Sequence, residues 1–113
     1  MMKNFLTGAV AAFAMAGAAQ AAEDVTLQLK WVTQAQFAGY YAALENGFYE
    51  AEGLNVTIKP GGPDVAPVQV LMGGGADVMV DWMPSALAAR EQGAPVVNIA
   101  QPFKSSGMML TCL

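Results

Sequence analysis

The chain has 113 residues, with nine acidic and five basic side chains, a formal net charge of -4, one cysteine and no histidine. A negative balance without clustered Lys and Arg disfavours nucleic acid and anionic membrane as partners, because both reward clustered positive charge. The cysteine and histidine counts exclude an internal disulfide, a transition-metal cluster and catalysis by a histidine base, and we expect no cofactor.

The first residues have the composition of a secretory signal peptide. A short n-region with one lysine precedes the uncharged stretch Phe5–Gly17, and Ala19-Gln20-Ala21 supplies the small residues at which signal peptidase cleaves. The alternative is an N-terminal membrane anchor, but the apolar stretch is shorter than the roughly 20 residues that span a bilayer. We therefore predict a cleaved signal peptide over residues 1–21 and an exported, periplasmic chain over 22–113. We also expect a longer parent protein, because the apolar run Met109–Leu113 carries no helix stop or polar tail.

The next segment predicts a strand followed by an amphipathic helix. Val25–Val32 alternates apolar with polar residues, which is the pattern of a strand with one buried face. The apolar side chains that follow recur at helical spacing, and they are Phe37, Tyr40, Tyr41, Leu44 and Phe48. Thr33, with Gln36 three residues later, has the pattern of a capping box at the helix start, and Gly47 fits a left-handed cap at its end.

The remaining elements alternate between strands and helices. In chain order we predict the strand Asn55–Lys59, the helix Pro67–Met72, the strand Asp77–Val80, the helix Pro84–Gln92 and the strand Val96–Ala100. Helices that join successive strands predict an α/β fold with a parallel sheet. Ligands of such sheets bind beyond the carboxyl ends of the strands. Three predicted loops lie there, namely Trp31–Gln36, Pro60–Asp64 and Asp81–Ser85.

Two of these loops combine a tryptophan with hydrogen-bonding side chains at a helix start. The first carries Trp31, Thr33 and Gln36, and the other carries Asp81, Trp82 and Ser85. Indole faces with nearby amides, hydroxyls and a carboxylate suit a flat, hydrogen-bonding ring. The alternative interpretation is structural: the two tryptophans pack as ordinary apolar residues, and the polar side chains cap helices. A nucleophile role for Ser85 is disfavoured, because no histidine or evident lysine base accompanies it.

Two long stretches carry a family pattern, and they read LKWVTQAQFAGYYAALENGFYEAEGLNVTIKPGGPDV and GGGADVMVDWMPSALAAREQGAPVVNIAQ. Over them a strand leads into a Phe-x-Gly-Tyr-Tyr helix, a Gly-Phe-Tyr-x-x-Glu-Gly-Leu turn and an Ala-Asp strand. In this pattern the chain resembles the bacterial periplasmic solute-binding proteins related to thiamine-pyrimidine synthases. Those proteins serve ABC importers for sulfonates, nitrate, pyrimidine precursors and flavins.

The resemblance implies a type II periplasmic-binding-protein fold with two lobes, of which this chain is the first part of lobe one. It implies a small-molecule ligand, and a permease with its ATPase as the partner complex. By the same resemblance, the ligand contacts are Trp31, Thr33, Gln36, Tyr40, Asp81, Trp82 and Ser85. We therefore expect a binding protein, not an enzyme, whose ligand is a small heteroaromatic solute.

The nature of that solute stays open. Pyrimidine binders of the family have Asp-Trp followed by a Pro-Asn pair at the first junction, whereas this chain has Lys30-Trp31-Val32-Thr33-Gln34. Because of this departure, a flavin or another heteroaromatic ring stays open as a ligand, as an alternative to the thiamine precursor. A sulfonate or nitrate binder of the same fold would hold its anion at helix N-termini, with little use for tryptophan. A pyrimidine-synthase-like enzyme would need an active-site histidine and a cysteine-rich iron motif, which this sequence lacks.

Overall fold

The computed structural model describes residues 21–105 of the chain. The predicted signal peptide, apart from its last residue, and the apolar run Met109–Leu113 lie outside the described residues. Among the helices of the described part, none is long and apolar enough to cross a membrane. The elements are, in chain order, β1 (Glu23–Gln28), a 3₁₀ turn (Ala35–Phe37), α1 (Ala38–Glu45), α2 (Phe48–Ala51), β2 (Leu54–Lys59), α3 (Pro67–Met72), β3 (Val78–Met79) and α4 (Met83–Glu91).

The three strands form one parallel sheet in the order β2-β1-β3. β1 pairs with β2 in a register that runs from Glu23↔Leu54 to Gln28↔Lys59. Its other edge pairs with β3, with Leu27 opposite Val78. Helices connect successive strands, as parallel pairing requires. The predicted α/β fold with a parallel sheet is therefore confirmed.

The strand order creates a topological switch point between β1 and β3. From the central strand β1 the chain runs to β2 on one side, and it then crosses back to β3 on the other side. In sheets of this order the loops after β1 and β3 diverge, and ligands bind in the crevice between them. The loops after β1 and β3 therefore flank the crevice in which a ligand is expected, whereas the loop after β2 does not.

One apolar face of the sheet packs against the first two helices. Leu27, Leu29, Phe37 and Val56 form its buried centre, and Leu29 is fully buried. The partly buried side chains around this centre are Val25, Tyr40, Tyr41, Tyr49, Leu54, Ile58, Val78 and Val80. Full burial of a large apolar side chain stabilises by about 1.5–3 kcal/mol, so this cluster is the main force that holds α1 and α2 on the sheet.

The predicted strand Val96–Ala100 is wrong, since no strand forms there in the described residues. Val96 is buried, whereas Val97 and Ile99 are 76% and 77% exposed. A strand needs a neighbour that satisfies its backbone N–H and C=O groups. None of the described strands pairs with this segment, so its apolar pattern is not sufficient to form a strand.

Candidate functional site

An ion pair joins the loops after β1 and β3. Lys30 Nζ lies 3.0 Å from Asp81 Oδ1, and 22% of the Lys30 side chain and 3% of the Asp81 side chain are exposed. The topology produces this contact, because β1 and β3 are parallel neighbours that end at the same edge of the sheet. Water screens such a shielded pair less than a surface pair. The ion pair therefore ties together the two loops that flank the switch point.

Asp81 also fixes the backbone of the residue that follows it. The Trp82 N–H donates to Asp81 Oδ1 at 2.8 Å, so one carboxylate oxygen accepts from both the ammonium and the amide. The N-cap of α4 is Trp82, and no side chain caps this helix. The alternative in which Asp81 caps α4 is therefore wrong, because its carboxylate is directed to Lys30 instead of to the first turn.

Trp82 presents its indole at the same edge. The residue is 66% exposed, so ordinary core packing does not account for it. Lys30 Nζ lies 5.7 Å from the centroid of the ring, which is within the range of a cation–π contact. Its grouping with a lysine and a carboxylate at the switch point makes this exposed indole a candidate binding surface.

Trp31 lies in the loop after β1, beyond the end of the strand. β1 ends at Gln28, and Trp31 is 39% exposed, so the alternative in which it is the last core residue of its strand is wrong. Its carbonyl oxygen accepts the N–H of Gly61 at 2.9 Å. The loop after β2 therefore supports the loop that carries Trp31.

Gln28 and Lys30 hold this edge together, although the sequence pattern did not single them out as site residues. Gln28 is 3% exposed, and its Nε2 donates to the carbonyl oxygens of Leu29 at 3.0 Å and Pro60 at 3.1 Å. Lys30 could have been predicted as a site residue from its position, because it follows the central strand β1 as Asp81 follows the neighbouring strand β3. Opposite charges that end adjacent parallel strands are placed to pair.

Thr33 does not cap the first helix. Its Oγ1 is hydrogen-bonded to the hydroxyl of Tyr41 at 3.0 Å. Neither the 3₁₀ turn Ala35–Phe37 nor α1 has a side-chain cap. The capping-box prediction for Thr33 and Gln36 is therefore wrong, because the 3₁₀ turn shifts the start of α1 and the Thr33 hydroxyl bonds the side chain of Tyr41 within α1.

Gln36 and Tyr40 lie together in an open groove of about 520 Å³. Its lining consists of Ala35, Gln36, Gly39, Tyr40, Pro102 and Phe103. Burial, and secondarily the charge of Tyr49, raises the pKa of Tyr40 above its ordinary value. A tyrosine phenol is protonated at neutral pH in any case, so Tyr40 can donate a hydrogen bond.

The predicted site residues thus fall into separate groups. The switch-point group is Trp31, Asp81 and Trp82: Lys30, the residue before Trp31, contacts Asp81 and Trp82, and the loop after β2 bonds the Trp31 carbonyl oxygen. Gln36 and Tyr40 share the groove, and Thr33 contacts Tyr41. Ser85 is half-buried in the first turn of α4. Chemically, the switch-point group offers aromatic faces, an ammonium and a carboxylate, which suits recognition of a flat polar ring.

Replacing Asp81 by alanine is expected to destabilise the protein more than replacing both Asp81 and Lys30. The single change leaves a mostly shielded ammonium without its partner. We expect a loss of about 1–3 kcal/mol, below the cost for a fully buried pair, because the Lys30 side chain retains 22% exposure. Urea unfolding of the double-mutant cycle Asp81→Ala and Lys30→Met measures the coupling. Simple additivity of the two losses would contradict the ion pair.

Comparison with known proteins places the chain among solute-binding sequences. The family described as NMT1/THI5 like matches residues 34–113. A similar curated protein is the formylaminopyrimidine-binding protein of Halalkalibacterium halodurans, which is 31% identical over 86 residues. The alignment covers 76% of this chain and 26% of that protein, so the chain spans about a quarter of its relative. No solved structure matches the chain.

Proposed function

Because the chain belongs to the NMT1/THI5-like family, we propose that it is part of the substrate-binding protein of an ABC importer and that it binds a small heteroaromatic solute between two lobes. The family and the name of the relative point to a binding protein rather than an enzyme. One observation carries the proposal: Trp31 and Trp82, 39% and 66% exposed, lie in the two loops at the switch point that the Lys30–Asp81 pair joins.

The proposed contacts at the switch point are Trp31, Asp81 and Trp82. An exposed indole gains from a flat ring, because stacking removes apolar surface of both partners from water. The Trp82 backbone is already fixed by Asp81, and its ring lies beside the Lys30 ammonium. Because this arrangement is already formed without ligand, less conformational entropy is lost when the ligand binds.

The proposed contacts outside the switch point are Thr33, Gln36, Tyr40 and Ser85. They supply an amide that both donates and accepts, two aliphatic hydroxyls and a phenol that stays protonated. The groove of about 520 Å³ lined by Gln36 and Tyr40 lies within the usual size of small-molecule sites, about 300–1,000 Å³. Few polar groups at an aromatic surface are the usual composition of a site for a heteroaromatic ring.

A pyrimidine precursor of thiamine is the first candidate ligand, and a flavin-like ring is the second. The name of the relative, a formylaminopyrimidine-binding protein, supports the pyrimidine. The sulfonate or nitrate alternative has weaker support, because the Lys30 ammonium at this edge is already paired with a carboxylate. A paired ammonium attracts a further anion less than a free one does.

Export is part of the same proposal. The predicted signal peptide over residues 1–21 would direct the chain to the periplasm, where the loaded protein would dock on a permease with its ATPase. Membrane contact would then occur only through the permease. The net charge of -4 gives no support for nucleic acid as a partner.

The test is a thermal-shift screen of the complete gene product that contains this chain. A formylaminopyrimidine or riboflavin is expected to raise the unfolding midpoint, since saturation at 100 times Kd adds about 2.7 kcal/mol of stability. Sulfonates and nitrate serve as the comparison ligands. Stabilisation by those anions alone would refute the heteroaromatic ligand. Chemical turnover of a pyrimidine by the purified protein would refute the binding-protein assignment.

A further inference from the structure

Lys30 is held on two sides at the switch point. Its Nζ lies 3.0 Å from Asp81 Oδ1 and 5.7 Å from the centroid of the Trp82 ring. The side chain retains 22% exposure, so it is neither free in solvent nor sealed in the core. A charged group in this setting is oriented by its partners and remains accessible to a molecule that enters the crevice.

The contacts of Lys30 leave part of its donor capacity unused. An ammonium has three N–H groups and no acceptor. One N–H serves Asp81, and the Trp82 ring presents only its π-face. In the described part of the chain, Lys30 Nζ has no other hydrogen-bond acceptor, whereas Lys59 Nζ donates to the Gly75 carbonyl oxygen at 2.8 Å.

We propose that Lys30 is a specificity-determining residue that donates a hydrogen bond to a carbonyl oxygen of a ligand stacked on Trp82. The inference rests on the proposed function and names the ligand class more narrowly. That class is an uncharged heteroaromatic ring with a carbonyl acceptor at its edge, either a ring carbonyl or a formamide group. Both kinds of group accept from an ammonium, and the charge on the donor strengthens the bond.

The same ammonium disfavours a ring that carries an amine in that position. Because an ammonium cannot accept, the ligand amine would lose its hydrogen bonds to water without replacing them. A protonated amine would also meet a like charge. Asp81 offsets only part of this mismatch, because its side chain is 3% exposed and its Oδ1 already accepts from Lys30 and Trp82. Lys30 would thus favour the carbonyl ligand over the amine in two ways, by the hydrogen bond that it donates to the carbonyl and by the unfavourable contact that it makes with the amine.

The test compares two matched ligands by titration calorimetry on the complete gene product. The ligands are a formylaminopyrimidine and the same pyrimidine with a free amino group. The variants are Lys30→Met, which removes the donor, Lys30→Arg, which keeps the charge and donors, and Lys59→Met. The last is the matched control, because it removes the same charge from a lysine at the end of β2 that bonds Gly75.

We expect Lys30→Met to weaken binding of the formyl compound about tenfold or more, as for the loss of a charged hydrogen bond. Binding of the amine should weaken by no more than about twofold, because the amine loses no hydrogen bond in this variant. Lys30→Arg should retain most of the preference for the formyl compound, and Lys59→Met should match the wild type with both ligands. This pattern separates recognition from a general loss of folding.

Each other outcome has a defined meaning. Equal weakening of both ligands by Lys30→Met would overturn the inference, because Lys30 would then act only by holding the two loops together through Asp81 and Trp82. A wild type that binds both ligands equally, with no change in Lys30→Met, would overturn the inference and leave the proposed function intact. A wild type that binds neither pyrimidine, but binds sulfonate or nitrate, would overturn both.

A measurement without ligand tests the geometry on which the inference stands. Ring current from Trp82 should shift the ε-methylene proton resonances of Lys30 upfield of those of Lys59 in the NMR spectrum. Trp82→Ala should abolish this shift, and Leu87→Ala, in the same helix, should preserve it. Identical ε-methylene shifts for Lys30 and Lys59 in the wild type would refute the contact and the inference with it.

Discussion

Replacing Gly61 by alanine is expected to destabilise the protein by about 3 kcal/mol, at the upper end of the usual cost of overpacking. Gly61 lies in the loop after β2, directly against the end of the central strand. An added Cβ would meet the carbonyl oxygen of Leu29 and would lie 2.6 Å from the carbonyl carbon and 2.7 Å from the oxygen of Lys30. These are backbone atoms, so rotation of a side chain cannot relieve the overlap.

The adjacent glycine provides the matched control. A Cβ at Gly62 would have no neighbouring atom within 4 Å, so Gly62→Ala should cost nothing and could gain about 0.4–1 kcal/mol from a less flexible unfolded chain. Thermal unfolding checks both, because a loss of about 3 kcal/mol lowers the midpoint of a domain of this size by roughly 12–24 °C. Equal midpoints for the two variants would contradict the close approach at Gly61.

The close approach at Gly61 also matters for the site. Its N–H donates to the Trp31 carbonyl oxygen at 2.9 Å, so the loop after β2 sets the position of the loop that carries Trp31. A side chain at Gly61 would push these two loops apart. The proposed ligand edge therefore depends on a position where only glycine fits.

Local signals were sufficient for the elements whose start and stop residues are strong. The helix predicted over Pro67–Met72 is α3 with the same bounds, because proline is tolerated at its start and the glycines beyond Met72 end it. The strand predicted over Asn55–Lys59 is β2, extended by Leu54. Gly47 adopts the predicted left-handed conformation, with φ of 69°. Each of these features is determined by residues within a few positions of it.

Local signals failed where the outcome depended on a distant or competing partner. The capping box at Thr33 and Gln36 competes with a hydrogen bond between the Thr33 and Tyr41 hydroxyls, and with a 3₁₀ turn that the helical pattern does not distinguish from α1. The strand predicted over Val96–Ala100 had the right composition but pairs with none of the described strands. Tertiary contacts rather than local propensity therefore decided both cases, through a competing bond at Thr33 and through the lack of a pairing strand at Val96–Ala100.

Topology alone predicts that the loops of the proposed ligand edge lie together, but it does not predict the electrostatics of that edge. Parallel strands were enough to bring the loops of Trp31 and Asp81 to the same edge. The ion pair of Lys30 with Asp81 requires the strand order β2-β1-β3, which makes β1 and β3 neighbours. Periodicity along the chain does not reveal that order. The sequence therefore identifies Lys30 only as a departure from the family pattern, although its side chain contacts both Asp81 and Trp82.

Replacing Trp82 by alanine is expected to reduce affinity for a heteroaromatic ligand by roughly 5–150-fold, since an aromatic platform under a flat ring contributes about 1–3 kcal/mol. The residue is 66% exposed, so the change should alter the free energy of unfolding by only about 0.5 kcal/mol. Titration calorimetry with a formylaminopyrimidine and with riboflavin measures the affinity, and urea unfolding measures the stability. The two quantities should separate, because the indole is mostly exposed and is not part of the buried cluster.

Leu87→Ala is the control for Trp82→Ala, because it removes an apolar side chain from the same helix that is 53% exposed. Its affinity should equal that of the wild type. Equal affinities for Trp82→Ala and Leu87→Ala would mean that the Trp82 indole does not contact the ligand. The groove of Gln36 and Tyr40 would then be the next candidate for the binding site. A selective loss in Trp82→Ala would place the stacking face at the switch point, where the ion pair of Lys30 and Asp81 already holds the two loops together.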